Sequence, residues 1–412
     1  MNTREVLYIS YTGITEPLGR SQVLAYLQGL SAKHSYRFTI VSFENLSFFE
    51  KEKEFVQKIC NDFGIDWHPL SYISKPPALS IFARVFRLRK KLAQLQKEKQ
   101  FSLVHCRSYR SGLAGLWMKK KFDTPFIFDM RGFWADERIE GNIWNLNNPL
   151  FRAVYFYFKK KEKELLRQAD QIVSLTENAK NEIHQWKLTE YSLPISVIPC
   201  CVDVELFDPS IIAPEEQKAL RKDLDLLPDQ EVISYLGSLG TWYMLDEMLQ
   251  FFACWYQQNT SAVLLFITNE PAASIISKAD LYRIPQSAIR VISVKRQQVP
   301  LALSLSRYSL FFIRSSFSKK ASSPVKQGEI MAMGIPVICN SGVGDTSEII
   351  MRFNSGQVID NLNPENYASE IKRFVTRQFN QEEIKQGARS YFSLEKGVQL
   401  YHQVYQAILN QA

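Results

Sequence analysis

The sequence of 412 residues lacks several signatures that would place it in a specialised class. No stretch approaches the ~18 apolar residues of a membrane-spanning helix, so we expect none. The six cysteines form no Cys-x-x-Cys pair, which predicts reduced, mostly buried thiols in a cytoplasmic protein. There is no Gly-x-Gly-x-x-Gly, so the usual dinucleotide fingerprint is absent. What remains is ordinary globular composition, with 46% hydrophobic and 22% charged residues.

The length and the order of apolar segments predict two α/β domains. The first ten residues resemble a buried strand more than a signal peptide, because Glu5 precedes the apolar run. Short apolar strands then alternate with helical stretches as far as residue 199, and the pattern restarts at Val232–Leu236 after an irregular segment, Asp203–Ala219. Strands separated by helices are typical of parallel sheets covered on both faces. We therefore predict two doubly wound domains, residues 1–205 and 206–385.

The net charge of +8 is concentrated in one part of the first domain. Between residues 81 and 121 there are twelve basic residues and one acid, Glu98. Apolar residues are interleaved with the first of these cations, and Phe151–Phe158 followed by Lys159–Lys161 repeats the pattern. The interleaved apolar residues are Leu79, Phe82, Val85, Phe86 and Leu88. Such a surface can lie on anionic lipid. The alternative is a solvated helix face whose apolar stripe packs on the sheet; no motif favours nucleic acid, and we expect none as a partner.

The most informative segment is residues 315–349. The turn Ser322-Ser323-Pro324 opens a helix whose first backbone N–H groups are unpaired and can meet an anion. Lys326 adds positive charge there, and Glu329, one turn further on, can accept a hydrogen bond from a sugar hydroxyl. The alternative is a capped helix with solvated lysines and a glutamate that serves the helix dipole.

Loops at the ends of the first-domain strands form a second group of candidates. In Thr15–Gln22, Gly19 would let the backbone approach a phosphate closely and Ser21 would cap the next helix; an ordinary strand-to-helix turn is the alternative. Two further strand ends carry charged or polar side chains that can hold acceptor hydroxyls or position reacting groups. They are His105 and Arg107 in one loop, and Asp129, Arg131, Asp136 and Glu137 in the other. The acids and arginines can equally form a structural salt bridge, and His105 can be a satisfied strand histidine.

The segment Glu329–Ile338, Glu-Ile-Met-Ala-Met-Gly-Ile-Pro-Val-Ile, resembles the E-A-M-A-x-G-x-P-V-I segment of glycosyltransferase family 4. Three other segments resemble that family in the right order and spacing. They are Ala169–Thr176, Ile198–Phe207 (Ile-Pro-x-x-Val-Asp-x-x-x-Phe) and Tyr235–Leu239. The sequence is similar to the subgroup with a Ser-Pro-x-Lys-x-x-Glu variant, here Ser323 to Glu329.

The resemblance implies a retaining, hexosyl-type glycosyltransferase of GT-B fold, in which two Rossmann-like domains face a central cleft and a C-terminal segment, 386–412, returns to the first. The implied substrates are a nucleotide-diphosphate sugar and a glycan or lipid-linked glycan acceptor in bacterial surface polysaccharide or glycoconjugate synthesis. In the family the leaving phosphate takes the acceptor proton during front-face attack. No D-x-D motif stands in a plausible place, so we expect no metal, and no cofactor besides the donor substrate. We expect an enzyme in the cytoplasm, peripheral on the inner face of the membrane.

The strand-end loops and the resemblance together give candidate roles. The catalytic candidates are Gly19, Asp129, Arg131, Lys326 and Glu329. The donor-binding candidates are Gly237, Ser238, Ser323, Pro324, Val325, Lys326 and Glu329, with Glu329 on the ribose. The acceptor-binding candidates are Arg20, His105, Arg107, Asp136 and Glu137.

Two positions depart from the family pattern. Ala321 stands where the first glutamate of E-x7-E is usual, and Ser238 begins a loop that has no basic residue up to Met244, where the family often has an arginine and then a lysine. These departures leave two other hypotheses open. One is a nucleotide-sugar epimerase on the same fold, with Asp129, Asp136 and Glu137 as its acids and bases. The other is a degenerate protein that binds nucleotide sugars as a scaffold.

Overall fold

The computed structural model describes residues 4–72 and 77–410, with side chains omitted for residues 77–82. Leu79 and Phe82 therefore lie outside the described side chains. The chain divides into two compact units, Met1–Pro199 with Leu394–Ala412, and Cys200–Ser393. The sequence placed these divisions at residues 205 and 386 instead. They differ because Val202 pairs with Ser393 in an isolated bridge, and Phe207 is fully buried in the core of the second unit.

The first unit contains a seven-stranded sheet in the order β3-β2-β1-β4-β5-β6-β7. Its strands are β1 (Arg4–Ser10), β2 (Tyr36–Glu44), β3 (Asp66–Ser71), β4 (Leu103–Arg107), β5 (Phe126–Asp129), β6 (Gln171–Ser174) and β7 (Ile195–Val197). All neighbours are parallel, with Val6 of β1 opposite Phe38 on one side and Leu103 on the other. Because both faces are covered, the central strands are continuous apolar runs. Their carboxyl ends meet at one edge, and the strand order reverses between β1 and β4.

Helices connect these strands. They are α1 (Pro17–Gly19), α2 (Ala25–Lys33), α3 (Leu46–Asp62), α4 (Pro77–Lys99), α5 (Ser108–Phe122), α6 (Trp134–Glu140), α7 (Pro149–Gln168) and α8 (Glu177–Gln185), with one π-helical segment, Arg20–Leu24, between the first two. Asn148 caps α7 by accepting a hydrogen bond from the Leu150 N–H, and Pro149 fits the first helical turn because it needs no donor there. Helix α5 contacts both α4 and α7, so these three helices share a layer.

The second unit contains a six-stranded parallel sheet in the order β10-β9-β8-β11-β12-β13. Its strands are β8 (Glu231–Leu236), β9 (Ala262–Ile267), β10 (Ile289–Ile292), β11 (Tyr308–Phe311), β12 (Val337–Asn340) and β13 (Gly356–Ile359). Its helices are α9 (Pro214–Asp223), α10 (Leu245–Gln258), α11 (Ala272–Leu281), α12 (Val299–Leu303), α13 (Val325–Ala332), α14 (Thr346–Arg352), α15 (Pro364–Val375) and α16 (Gln381–Phe392). The order reverses between β8 and β11, which is where open α/β sheets bind ligands.

The last helix, α17 (Leu394–Leu409), belongs to the first unit and packs on α2, β4 and β6. Gly29 of α2 is needed for this contact, because a Cβ there would lie 2.5 Å from a methyl group of Val398.

The prediction of two doubly wound parallel-sheet domains is confirmed. Strand β13 was not predicted, and the segment expected to be an irregular linker contains the start of α9. All six cysteines are free thiols, five of them buried. No helix among the described residues is long and apolar enough to cross a bilayer.

Candidate functional site

The carboxyl edge of the second sheet brings together the loop after β8 and the start of α13. Gly237 ends β8 with a φ of +113°, a conformation that side chains rarely adopt. A Cβ at this position would lie 3.1 Å from the Nζ of Lys326, which reaches across from α13. We call Gly237, Lys326 and Glu329, with the residues that contact them, the α13 site. The sequence predicted all three as donor-binding residues.

Lys326 is a buried cation held among aromatic rings. Its Nζ donates a hydrogen bond to Tyr235 OH at 3.2 Å and lies 3.8 Å from the ring centroid of Tyr243. Burial lowers the pKa of Lys326 to about 7, and Glu329 only partly offsets this effect. A cation on the edge of losing its proton is stabilised by any anion placed beside it. This side chain is therefore suited to a phosphate group, and it brings to Gly237 the positive charge that residues 238–244 lack.

Glu329 lies one turn beyond Lys326 and is also buried. One of its carboxylate oxygens accepts a hydrogen bond from Nη1 of Arg296, in the loop after β10. The Arg296 guanidinium in turn lies 4.9 Å from the ring centroid of Phe207. This pair orients Glu329, and the second oxygen of the carboxylate can still accept a hydrogen bond from a hydroxyl. The sequence did not indicate Arg296, which stands in a segment without a motif.

The start of α13 offers backbone donors. Pro324 is the N-cap residue and makes no side-chain cap, and the N–H groups of Val325 and Lys326 donate to no residue that the structure describes. Such groups at a helix start are suited to an anion. Ser323, by contrast, already accepts a hydrogen bond from the Cys200 N–H at 3.1 Å, so its hydroxyl oxygen braces the segment 200–207. Ser238 is exposed, and its carbonyl accepts from Tyr235 OH.

Two further cations stand at the same edge, over one tryptophan. Nζ of Lys319 lies 3.7 Å, and the guanidinium carbon of Arg314 4.8 Å, from the ring centroid of Trp242. The Arg314 N–H also donates to the Trp242 carbonyl at 2.9 Å, which ties the loop after β8 to the end of β11. Asn340, at the end of β12, bonds both the N–H and the carbonyl of Ile313 at 2.8 Å. The loops that surround the α13 site are thus fixed to one another.

The candidates at the ends of β4 and β5 form a buried group that we call the Asp129 cluster. Asp129 is fully buried, 3.4 Å from His105 Nε2, and within 3.9 Å of Arg107 and of Arg131. Tyr401 of α17 donates to the same carboxylate at 3.1 Å. Burial alone would raise the pKa of Asp129, but Arg131, His105 and Arg107 outweigh it and lower the pKa, so the carboxylate is ionised.

His105 is held from both sides, because its Nδ1 lies 2.7 Å from Tyr405 OH and its Nε2 faces Asp129. Burial lowers the pKa of His105, which Asp129 offsets in part. Four candidates that the sequence marked at two separate strand ends, His105, Arg107, Asp129 and Arg131, thus lie together in the structure. What it missed is that α17 contacts them through Tyr401 and Tyr405, which no motif marks. Arg131, with φ +60°, is the member of the cluster with the most exposed side chain, at 11%.

Asp136 and Glu137 lie in the first turn of α6, apart from this cluster. Asp136 accepts hydrogen bonds from Lys159 Nζ at 2.8 Å and from Tyr155 OH at 2.9 Å. Lys159 also pairs with the buried Glu162, which accepts from Tyr109 OH. The partner of Asp136 is thus a lysine of α7 rather than a nearby arginine. The sequence could not show this pair because twenty-three positions separate its members.

Gly19 and Arg20 lie where α1 passes into the π-helical segment. A Cβ at Gly19 would lie 2.0 Å from the Gly13 carbonyl oxygen, so glycine is required by close backbone packing. Arg20 pairs with Glu52 of α3 at 2.7 Å. Ser21 does not cap the helix, because helix formation begins at Pro17 and the Ser21 hydroxyl donates to the Pro17 carbonyl instead.

The N–H groups of the loop after β1 are occupied by a carboxylate of the chain itself. Glu44, at the end of β2, is buried and accepts hydrogen bonds from the backbone N–H groups of Ile14 and Thr15 at 2.9 and 3.1 Å. Its carboxylate also accepts from the hydroxyls of Thr15 and Ser42. A carboxyl group of the chain therefore holds two N–H groups at the start of the loop in which the sequence predicted a phosphate contact at Gly19.

No cluster of three or more His, Cys, Asp or Glu side chains suited to a metal ion is found across residues 4–72 and 77–410. The α13 site itself offers a buried lysine, a paired glutamate and helix-start amides, which together are suited to a phosphorylated, hydroxyl-bearing ligand.

Comparison with solved structures identifies the fold. A glycosyltransferase from Rickettsia africae covers 100% of both chains with a TM-score of 0.72 at 16% identity. HepE of Anabaena, solved in complex with UDP and glucose, covers 98% of this chain and 100% of its own with a TM-score of 0.72 at 12% identity. WaaG, a glycosyltransferase involved in lipopolysaccharide biosynthesis, covers 98% and 99% with a TM-score of 0.63 at 14% identity. The two units are thus those of a GT-B glycosyltransferase fold.

Family comparison extends this from the fold to the sequence. Residues 22–206 match the model of Glycosyltransferase Family 4, and residues 216–391 match that of Glycosyl transferases group 1. Only short segments at the ends and between the units remain unmatched, so the chain belongs to the glycosyltransferases of GT-B fold. A search of curated proteins found no match.

Proposed function

We propose that the protein is a retaining glycosyltransferase that uses a nucleotide-diphosphate sugar and transfers its hexosyl group to a hydroxyl of a glycan or lipid-linked glycan. The observation that carries this proposal is the placement of Lys326 beside Gly237, with the unpaired amides of α13 next to it. A departing diphosphate carries more negative charge than the diphosphate of the intact donor, and a preorganised buried cation therefore stabilises the departing group more strongly than the bound donor.

The proposed roles follow from the contacts of each residue. Lys326 and the amides of Val325 and Lys326 would hold the diphosphate. Glu329, fixed by Arg296, would accept hydrogen bonds from the ribose hydroxyls. Retention would follow from attack on the face that the diphosphate leaves, with that phosphate taking the acceptor proton. Catalysis would then be mostly positioning and charge stabilisation.

The first unit would supply the acceptor side. The Asp129 cluster, with Arg131 as its most exposed member, would stand at the edge that meets the acceptor, while Gly19 and Arg20 would hold the neighbouring loop in shape. Glu44 already neutralises the N–H groups of that loop. We infer that diphosphate binding depends on the second unit.

The proposed setting is synthesis of a bacterial surface polysaccharide or glycoconjugate on the cytoplasmic side of the membrane. HepE has been solved with UDP, and WaaG takes part in lipopolysaccharide biosynthesis, which support a uridine nucleotide as the first donor to test and a surface glycan as the acceptor class.

Incubation with a panel of UDP-, GDP- and dTDP-sugars tests the proposal. Release of nucleotide diphosphate with formation of a glycoside of unchanged anomeric configuration is the expected result. Interconversion of the donor sugars would instead show an epimerase, and binding without turnover would show a scaffold.

A matched pair of variants tests the site. Glu329→Ala should lower donor affinity at least about tenfold, because the ribose would lose a charge-assisted hydrogen bond. Glu382→Ala is the control, since Glu382 also pairs with a cation, Lys385, but is 71% exposed. Full donor affinity and activity in Glu329→Ala would refute the site assignment.

A further inference from the structure

Helix α7 presents three large apolar side chains to solvent in its first half. Leu150 is 68%, Phe156 57% and Tyr157 49% exposed, whereas the inner side of the same helix buries Leu165 and Leu166. At 100° per residue, position 157 lies about 20° and position 156 about 120° around the helix from position 150, so the three span about a third of its circumference. These side chains are therefore not the stripe that packs on the rest of the unit, and they form one outward strip.

The same strip becomes basic in the second half of the helix. Lys160 and Lys163 are exposed on it, Arg152 is exposed near its start, and none of the three forms an ion pair with a residue that the structure describes. We call these three cations, with Leu150, Phe156 and Tyr157, the α7 face.

The acids of α7 itself do not offset the charge of the α7 face. The only two acids of α7 are Glu162 and Glu164. Glu162 is fully buried, and Glu164 pairs with both Lys120 and Lys161. A surface that is apolar at one end, cationic at the other and free of exposed acid is complementary to the acyl chains and anionic headgroups of a bilayer.

The preceding loop continues the apolar end. Ile143 and Leu146 are 53% and 37% exposed. The ring of Trp144 stacks with that of Phe158, with centroids 6.2 Å apart, so the loop folds back along α7. The apolar area beside the helix is therefore larger than the helix alone provides.

Helix α4 repeats the pattern in the same layer. Phe86 is 70% exposed and is followed by the exposed Arg87 and Lys90, whereas Leu88 and Leu92 point inward. Helices α4 and α7 both contact α5. Part of the basic segment is thus a helix whose apolar side packs on the unit, which was the alternative to a lipid-binding surface. Another part is an outward face with exposed apolar groups.

Topology places the apolar end at the functional edge of the sheet. Strands β5 and β6 are parallel neighbours, and α7 connects them, so the helix runs antiparallel to both. Its first half therefore lies at the carboxyl edge, where β5 ends at Asp129.

We propose that the α7 face docks on an anionic phospholipid bilayer, with Leu150, Phe156 and Tyr157 inserted at the headgroup boundary. We choose a bilayer as the occupant because its anionic headgroups complement the charge of the α7 face. The consequence is delivery of a lipid-linked acceptor to the edge at Asp129, and this consequence rests on the proposed function. Docking brings this edge to the membrane surface, so the acceptor headgroup arrives without leaving the lipid.

Flotation of the full chain with vesicles of phosphatidylcholine and phosphatidylglycerol tests this. The protein should float with these vesicles at low salt and remain at the bottom with phosphatidylcholine alone. Lys160→Gln/Lys163→Gln should weaken vesicle binding about thirtyfold, given the contribution of each cation near an anionic surface. Leu150→Ser/Phe156→Ser should weaken it at least about tenfold through lost apolar burial.

Matched controls use equally exposed residues of the second unit. Leu227→Ser/Leu281→Ser, at 59% and 75% exposure, and Lys218→Gln/Lys222→Gln should float like the parent. Absence of flotation at low salt, or equal losses in target and control variants, would overturn the proposal. Loss of a dimer in Leu150→Ser/Phe156→Ser without any flotation of the parent would also overturn it and would show a second copy as the occupant.

A second measurement separates this proposal from the proposed function. Stabilisation by UDP, read as a shift in melting temperature, should be the same in all four double variants and the parent. Intact UDP stabilisation without flotation refutes only the membrane face. Flotation without nucleotide binding or transfer refutes the proposed function and leaves the membrane face standing.

Discussion

Replacing Lys326 with methionine should make the ligand-free protein more stable and should also remove its response to nucleotide diphosphates. The buried Nζ has a pKa of about 7, against 10.5 for an exposed lysine. The unfolded chain therefore holds this proton between about pH 7 and 10.5 while the folded chain releases it, so stability rises with pH across that window and is lowest below pH 7.

The size of the effect follows from the same pKa values. At about 1.36 kcal/mol for each pH unit between them, keeping Lys326 charged inside the protein costs up to about 5 kcal/mol below pH 7. Methionine removes that cost, but it also removes the hydrogen bond to Tyr235 and packs less well in the space that the lysine side chain occupies. We therefore expect Lys326→Met to gain about 1–3 kcal/mol in free energy of unfolding at pH 6 and little at pH 10.

Calorimetry tests the functional half of this prediction. A diphosphate beside Lys326 would raise the pKa of the lysine, so UDP should bind with uptake of about 0.9 proton at pH 8, where most of the free lysine is neutral. Titrations at pH 8 in two buffers of different ionisation enthalpy measure this uptake. The β-phosphate itself titrates near pH 6 and contributes little there. Lys372→Met, an exposed lysine of α15, is the control and should change neither stability nor uptake.

Three results would refute this reasoning. They are UDP binding without proton uptake by the parent, normal UDP affinity in Lys326→Met, and a Lys326→Met protein that is less stable than the parent at pH 6. The first two would remove Lys326 from the diphosphate site. The third would mean that burial of the cation is not costly.

The remaining predictions concern stability and can be measured by urea unfolding at pH 7. Asn340→Ala should lose about 2–3 kcal/mol, because the two side-chain hydrogen bonds that join Asn340 to the backbone of Ile313 disappear in a buried place. Gly19→Ala should lose about 1–3 kcal/mol through its clash with a backbone oxygen, whereas Gly240→Ala, with no atom within 4 Å of the new Cβ, should change by less than about 0.5 kcal/mol. Glu162→Ala should cost about 2–3 kcal/mol because the buried Tyr109 hydroxyl loses its acceptor and Lys159 loses one of its carboxylate partners, while a cost as small as that of the surface pair at Glu164, below about 1 kcal/mol, would contradict the view that this network is structural.

The fold was predictable because most of its strands are buried on both faces. Such strands stand out in the sequence as continuous apolar runs. Strand β13 was missed for a physical reason. It has four residues, begins with Gly356, and packs so closely that a Cβ there would lie 1.9 Å from the Val337 carbonyl oxygen. An edge strand of four residues that starts with glycine has only Val358 and Ile359 to mark it, which is too short a run to be distinguished from a loop. Helix α9 was missed because it has no buried residue and so no apolar periodicity.

Contacts within the α13 site could be predicted between residues that are close in sequence but not between residues that are far apart in sequence. Lys326 and Glu329 share one turn of helix, so their proximity followed from helical spacing. Arg296 pairs with Glu329 across thirty-three positions, and Tyr235 meets Lys326 across ninety-one. Only the parallel order of β10, β9, β8 and β11 brings those residues to one edge. Sequence spacing carries no such information about aromatic partners.

In the first unit, the sequence indicated the right strand ends but not how deeply their side chains are buried. His105 and Asp129 follow strands of ordinary composition, and nothing local shows that α17 packs against them. For the exposed strip of α7, the sequence showed which residue types are present but not which of them are exposed. Whether Phe156 points inward or outward depends on which side of the helix packs on the rest of the unit.

The placement of α17 has a consequence for synthesis of the chain. Tyr401 and Tyr405 close the Asp129 cluster from a helix that leaves the ribosome only after the whole of the second unit. At about 5–20 residues per second, the first seven strands wait roughly 10–40 s with a charged carboxylate and two aromatic sites uncovered. The second unit, which is continuous in sequence, can finish folding during that interval. A chain that stops before residue 394 should therefore yield a folded second unit joined to an incomplete first unit. The surface that α17 would cover is then free to bind chaperones or the α17 helix of another molecule.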